Sequence, residues 1–225
     1  KALFVLTIMV LGSVRMLAQE PYAVLSENNN WEWVLTFYYD DKKAERNGMD
    51  IGPFDSHESR GWNQQRESII NVVFDASFAN CTTIVSTAFW FYECGHLTTI
   101  IGINNLKTDN VTDMTCMFDG CEELTELDLS GINTDKVTIM SGMFNRCSGL
   151  TSLDISGFNT ANVTNMEGLF NRCSGLTSLD VSNFNTDNVK DMFNMFYGCS
   201  QLTSLDVSGF NTDYVTNMGN MFYGC

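Results

Sequence analysis

Histidine, proline and basic residues are all scarce in this sequence. It contains two histidines, two prolines, and 12 lysines and arginines against 27 acidic residues, for a formal net charge of −15. His57 and His96 supply little material for a zinc site or for general acid–base catalysis, and neither has a nucleophile at motif spacing. The acidic balance argues against a nucleic acid or an anionic membrane as partner. Because 44% of the residues are hydrophobic, the composition excludes wholesale disorder.

Long hydrophobic runs are missing too, apart from a short one at the start. The run from Ala2 to Val14 is shorter than the roughly 20 apolar residues that span a bilayer. Lys1 precedes this run and the small residue Ala18 follows it, which is typical of a secretory signal peptide. The sequence therefore predicts a signal peptide over residues 1–18, no transmembrane segment, and a secreted or cell-surface location.

The second half of the chain repeats itself every 26 residues. Phe91 and Cys94 mark one further, divergent copy, placed 27 residues before the matching positions of the next. A fixed period of this length indicates units that stack and share one core. Two sets of residues recur at this spacing: Cys121, Cys147, Cys173, Cys199 and Cys225, and Phe118, Phe144, Phe170, Phe196 and Phe222. We call each such set a column.

Each repeat combines two hydrophobic patterns. Leu153 and Ile155 alternate with Asp154, which predicts a strand with the aspartate facing outward. Further along, the i, i+3, i+4, i+7 spacing predicts a two-turn amphipathic helix, with Met166, Leu169, Phe170 and Cys173 on its apolar stripe. We therefore expect an α/β fold, a right-handed leucine-rich-repeat-like solenoid with parallel strands on one side and short helices on the other.

The region between the signal peptide and the repeats does not follow the 26-residue frame. Tyr22–Leu25 and Trp33–Tyr39 are predicted strands, and Glu67–Phe74 is predicted as the first strand of the solenoid. This arrangement suggests an N-terminal β-rich cap over residues 19–85, followed by the repeat solenoid over residues 86–225. Since Cys225 falls inside a unit, the sequence predicts a solenoid truncated at its C-terminus.

Units such as SGLTSLDVSNFNTDNVKDMFNMFYGCS closely resemble the 26-residue surface-protein repeat of the BspA-like leucine-rich-repeat family. The stretches YAVLSENN and LTFYYDDKKAERNGM resemble the segment before the repeats in such proteins, so the likeness covers roughly Tyr22–Cys225. The resemblance implies a surface or secreted adhesin, found notably in Bacteroidetes, that binds host matrix proteins or other cells. It brings no catalytic residues.

The candidate binding surface consists of polar positions that recur on the outward side of the predicted strands. We expect these columns to mediate adhesion or protein–protein recognition. The aspartate column could instead hold a cation such as calcium, or simply keep the protein soluble. The candidate residues are Glu126, Asp128, Ser152, Asp154, Ser178, Asp180, Ser204 and Asp206.

Other chemistry-bearing residues have simpler interpretations. The cysteine column is expected to hold buried free thiols, while Cys81 and Cys116 are the likelier candidates for pairing. No C-x-x-C or His-Cys spacing indicates a metal, and no cofactor or enzyme activity is predicted. Trp31 and Trp62 could stack on sugar rings, so a glycan-binding surface module is the alternative function.

Overall fold

The computed structural model describes residues 18–225. The predicted signal peptide, apart from Ala18, lies outside the described residues. Four strands form one mixed sheet in the order β1-β2-β3-β4: β1 Glu20–Glu27, β2 Trp33–Asp40, β3 Ile69–Phe74 and β4 Thr99–Ile101. Short 3₁₀ helices at His57–Ser59, Asn63–Ser68, Ala76–Asn80 and Ile103–Asn105 complete the regular structure of the described chain.

The sheet follows from alternating sequences in its strands. β1 pairs antiparallel with β2, and β2, β3 and β4 are parallel to one another. Leu35 and Phe37 on β2 lie opposite Val72 and Phe74 on β3, and all four are buried on the same face. The three predicted strands of this region are confirmed, with bounds shifted by a few residues.

The expected α/β solenoid with short helices is wrong. Within the described residues the sheet has only four strands, and no α-helix is present. Residues 106–225 consist of turns and bends that contact the next repeat through isolated parallel bridges. These bridges recur in register along the chain, as Ser86 with Asp113, Asp113 with Ile139, Ile139 with Asn165, Asn165 with Asp191, and Asp191 with Asn217.

The predicted helix fails because its hydrogen bonds leave the segment. From Met166 to Arg172, every second backbone N–H donates to a carbonyl of the next repeat, at distances of 2.6 to 2.9 Å. Of the intervening N–H groups, those of Leu169 and Asn171 donate to the carbonyl three residues earlier, whereas an α-helix needs bonds to the fourth. The N–H of Glu167 donates to Oδ1 of Asn165. Gly168 and Arg172 have φ of 60° and 57°, in the left-handed region, which breaks a right-handed helix twice within one turn.

The predicted repeat strands are also wrong. Between residues 151–155 and 177–181, the only backbone hydrogen bond in the described structure runs from the N–H of Thr177 to the carbonyl of Thr151, at 3.2 Å. A parallel ladder would need evenly spaced bonds along both segments. The repeats are therefore joined mainly by hydrogen bonds between their turns, and not by a ladder between the segments that carry the candidate residues.

A phenylalanine stack joins the repeats in the core. The rings of Phe144 and Phe170 lie 5.7 Å apart at an angle of 4°, and those of Phe170 and Phe196 lie 5.7 Å apart at 9°. Phe158 and Phe184, on a second column, pack against this stack. The stack is an aromatic spine in which each ring contacts the preceding and the following repeat.

The repeating cysteines are thiols that also bridge neighbouring repeats. Each Sγ donates to the backbone carbonyl of a phenylalanine in the preceding repeat, for example Cys173 to Phe144 at 3.0 Å. Burial raises the pKa of Cys173 well above the ordinary value of a thiol. The predicted burial is confirmed for this column except at exposed Cys225. Cys81 and Cys116, the predicted pairing candidates, are both free thiols.

The repeating Asn-Thr pairs serve the turn backbone. The hydroxyl of buried Thr160 donates to the carbonyl of Asn185 at 2.9 Å and accepts the N–H of the same residue at 2.8 Å. The side chain of Asn159 accepts the N–H of Ala161 and donates to Asp135. These side chains therefore supply part of the contact between repeats that strands and helices would otherwise provide.

Aromatic packing connects the sheet to the first repeat. Phe37 stacks on Trp90 at a ring distance of 4.9 Å and meets Trp62 edge-on at 5.9 Å. Arg60 is only 3% exposed, and its guanidinium donates to the carbonyls of Phe89, Trp90 and Tyr92 among its neighbours. Burial lowers the pKa of this arginine, and its backbone acceptors offset the cost of placing a cation in the core.

Candidate functional site

Six of the eight candidate residues line one open groove across three repeats. The groove has a volume of about 450 Å³, and Leu153 and Leu179 form part of its surface. We call it the serine–aspartate groove, and its polar lining is Ser152, Asp154, Ser178, Asp180, Ser204 and Asp206. The two remaining candidates precede it, Asp128 beside a smaller groove that it shares with Asp154 and Glu126 at an exposed position.

Each aspartate of the groove is fixed by its own backbone turn. Oδ1 of Asp154 accepts the N–H of Ser156 at 3.0 Å, and Asp180 and Asp206 accept Ser182 and Ser208 in the same way at 2.9 Å. Hydrogen bonds from the backbone and side chain of Ser156 lower the pKa of Asp154 below its ordinary value. The carboxylates are therefore ionised at neutral pH and held at a regular position in each repeat.

The groove offers carboxylates, hydroxyls and backbone groups to a ligand. No backbone hydrogen bond of the described structure joins residues 152–154 to residues 178–180, so these amides and carbonyls are free to bind. No lysine, arginine or histidine lines the groove. Within residues 18–225, no three or more His, Cys, Asp or Glu side chains are grouped to hold a metal ion, so the calcium interpretation gains no support. The lining favours donors of hydrogen bonds and positively charged groups.

The two candidate tryptophans have opposite environments. Trp62 is fully buried and its indole N–H donates to the carbonyl of Trp90 at 3.0 Å, so its predicted role in stacking on sugars is wrong. Trp31 is 82% exposed at the tip of the β1–β2 hairpin, with a left-handed φ of 63°. The side chain of Asn28 accepts the N–H groups of Asn30 and Glu32, which orders the tip and presents the indole to solvent.

A charged groove that sequence reasoning missed lies beside the first repeats. It has a volume of about 390 Å³, and its lining includes Arg66, Glu93 and Arg146. Arg66 pairs with Glu93 at 3.1 Å, and Arg146 pairs with Asp119 at 3.0 Å. Burial raises the pKa of Asp119 even though Arg146 lies beside it. These partners are 27 residues apart in each pair, so only the tertiary fold brings them together.

The two histidines occupy separate places on the surface of the fold. The ring of His57 packs on Tyr92 at a centroid distance of 4.5 Å. Nδ1 of His96 lies 2.8 Å from a carboxylate oxygen of Glu123, and both side chains are more than half exposed. Neither histidine lines the serine–aspartate groove.

Comparison with known proteins gives one family. The profile described as "Mycoplasma protein of unknown function, DUF285" matches residues 65–153, 85–179 and 146–225, which together span more than half of the chain. No curated protein and no solved structure matches the sequence. Over residues 18–225, no helix combines the length and the apolar character required to cross a membrane.

Proposed function

The chain belongs to this DUF285 family, and we propose that it is a secreted or cell-surface protein that binds other proteins through the serine–aspartate groove. Its partners would be host matrix proteins or proteins of other cell surfaces, and its role would be adhesion and not catalysis. The signal-peptide pattern of residues 1–18, a charged first residue followed by a short apolar run, supports this location. The likeness of the repeats to BspA-like surface proteins supports this class of partner.

The observation that carries the proposal is the regularity of the groove. Serine and aspartate recur at one spacing over three repeats, and the three aspartates are exposed. A row of oriented polar groups on a repeating scaffold is the kind of extended surface that repeat proteins use for binding. The serine–aspartate groove is open and extends over three repeats, which suits a segment of another protein better than a small substrate.

The test is the binding of the full chain to immobilised matrix proteins, with fibronectin, laminin and collagen as probes in surface plasmon resonance. The triple variant Asp154→Asn, Asp180→Asn, Asp206→Asn removes the charges of the groove and keeps their shape. Its matched control, Asp41→Asn, Asp55→Asn, Asp213→Asn, removes the same charge from exposed positions outside the groove. We expect saturable binding that the first triple weakens about tenfold or more and the control leaves within about twofold. Equal affinities for the two triples would contradict the proposal.

A second candidate function, glycan binding, is favoured by Trp31. An ordered hairpin tip that presents an 82% exposed indole, flanked by Asn30 and Glu32, combines a stacking surface with hydrogen-bonding groups. The test is a glycan array probed with the full chain and with Trp31→Ala. Glycan signals that disappear in the variant would support this candidate, and an array that is blank for the unaltered chain would exclude it for the glycans printed.

A further inference from the structure

The four-stranded sheet has a second face that points away from the core. Because side chains alternate along a strand, the neighbours of buried Leu35 and Val72 lie on the opposite face. The strand register places four of them in one row across the sheet, namely Val24, Thr36, Val73 and Ile101. None of these four side chains is buried, and Ile101 is 55% exposed.

A second row runs beside the first. It consists of Ser26, Val34, Asn71 and Thr99, and again none of its members is buried. Six of the eight residues in the two rows are valine, isoleucine or threonine, so the surface consists mostly of branched side chains. We call these two rows the outer sheet face.

The outer sheet face leads into the candidate columns of the repeats. Phe91 and Phe118, whose rings pack at 5.4 Å, are 27 residues apart, and so are buried Leu97 and Leu124, which lie just before β4 and the corresponding segment of the next repeat. With the same offset, Thr99 corresponds to Glu126 and Ile101 to Asp128. The row that ends at Ile101 is therefore in line with the aspartate column, and Asn104, just after β4, donates to Asp128 at 3.2 Å. Together they make one continuous surface that is mainly aliphatic over the sheet and acidic over the repeats.

We propose that this continuous surface binds one extended polypeptide segment, aliphatic where it covers the outer sheet face and rich in lysine or arginine where it reaches Asp128 and Asp154. The inference rests on the proposed function and specifies the chemistry of the partner. Charge complementarity selects a basic segment, because exposed carboxylates follow the aliphatic rows in each successive repeat. A second copy of this chain, with its net charge of −15, is a poor match for the acidic half.

The outer sheet face would bind the aliphatic end of the segment. Ile101 and Val73 lie side by side in the register of β3 and β4 and provide an apolar contact that is open to solvent. Covering such a contact removes apolar area from water, whereas the carboxylates mainly set orientation and on-rate. A partner with only one of the two properties would use only half of the surface.

The probe is a fluorescein-labelled peptide, VTVTGKGKGK, titrated with the full chain and followed by fluorescence anisotropy. Two comparison peptides, VTVTGEGEGE and STSTGKGKGK, invert the charge or remove the aliphatic half. Ile101→Ser removes the exposed isoleucine, and Val85→Ser is its matched control, an aliphatic residue that is 47% exposed elsewhere. We expect Ile101→Ser to weaken binding about tenfold, Val85→Ser to leave it unchanged, and both comparison peptides to bind at least about tenfold more weakly.

The outcomes separate this inference from the proposed function. If Ile101→Ser and Val85→Ser bind the probe equally while the groove triple variant still loses matrix-protein binding, the inference is overturned and the proposed function stands. Tight binding of the acidic peptide, or no saturable binding of the basic one, also overturns the inference. If Ile101→Ser weakens peptide binding but the groove triple variant retains matrix-protein binding, the sheet face is a docking site and the groove is not.

Discussion

The sheet region (residues 20–101) and the repeat region (residues 102–225) pair their backbone and pack their aromatic side chains in different ways. The sheet region pairs its backbone in β ladders and packs aromatic side chains of unrelated spacing, such as Phe37 and Trp90. The repeat region pairs its backbone through turns and stacks one phenylalanine per repeat. The difference shows that backbone hydrogen bonds between turns, together with side-chain columns, can fix a long-range register without regular strands or helices.

Phe170→Ala should have the largest effect among the substitutions that test this contrast. Its ring contacts Phe144 and Phe196, so the substitution opens a cavity between three repeats and should lower the free energy of unfolding by about 3–5 kcal/mol. All four tryptophans lie in the sheet region, so tryptophan fluorescence follows that region while circular dichroism follows the whole chain. We expect urea unfolding to begin earlier by circular dichroism than by fluorescence.

The control for this substitution is Tyr214→Ala, which removes an aromatic ring that is 68% exposed and should change stability by less than about 0.5 kcal/mol. Coincident fluorescence and circular dichroism transitions in Phe170→Ala would show instead that the two regions unfold as one unit.

The next effect concerns the hydroxyls that link the turns. Thr160→Val keeps the shape of a buried residue but leaves the N–H and the carbonyl of Asn185 without their partner. We expect a loss of about 1–3 kcal/mol in urea unfolding. Thr151→Val, at an exposed position, serves as the matched control. If both valine variants are equally stable, the threonine column does not hold the repeats together.

A smaller effect tests the left-handed residues that replace the expected helix. Gly168→Ala should cost about 1–2 kcal/mol, because its φ is 60° while its added Cβ would meet only an ordinary contact, 3.6 Å from Asn171. Gly157→Ala is the control, since nothing lies within 4 Å of its Cβ position and its φ is not left-handed. Were residues 166–173 an α-helix in solution, Gly168→Ala would stabilise the protein instead.

The smallest effect is the pH dependence of two aspartates of the repeat region. The pKa of Asp154 is lowered by hydrogen bonds from Ser156, so its contribution to stability is present above the ordinary value of 3.8 and is lost as the pH falls through the lower folded value. The pKa of Asp119 is raised by burial, so its carboxyl should titrate above 3.8. Carboxyl chemical shifts recorded by NMR between pH 2 and 6 check both, and titration of the two at one midpoint would contradict this assignment.

Much of the sheet region could be predicted because local pattern and tertiary role agree there. The alternation in Trp33–Tyr39 indicates a strand, and β2 is a strand with Leu35 and Phe37 inside. Trp62 shows the limit of that reasoning, since its loop-like surroundings in sequence hide a fully buried ring. The outer sheet face was missed because rows across strands depend on register, which a single strand does not specify.

In the repeat region, the pattern of Met166, Phe170 and Cys173 was correct about burial and wrong about the backbone. The i, i+4, i+7 spacing places three side chains on one side of a helix, but the observed series of turns places them on one side as well. Left-handed φ at Arg172, where sequence would not suggest it, separates the two conformations. In the candidate site, the exposed serine and aspartate columns could be predicted from the 26-residue period. The serine–aspartate groove that they line could not.

The sequence by itself determined the period of this protein, and with it the columns of phenylalanine, cysteine, threonine and aspartate that each repeat must align. Only the tertiary structure decided which conformation the backbone takes between those columns. The reason is physical: hydrophobic periodicity reports which side chains leave water, whereas the direction of each N–H depends on whether a neighbouring repeat offers a carbonyl within reach. In the turns of this protein the neighbour does offer one, and alternate backbone hydrogen bonds run between repeats instead of along a helix.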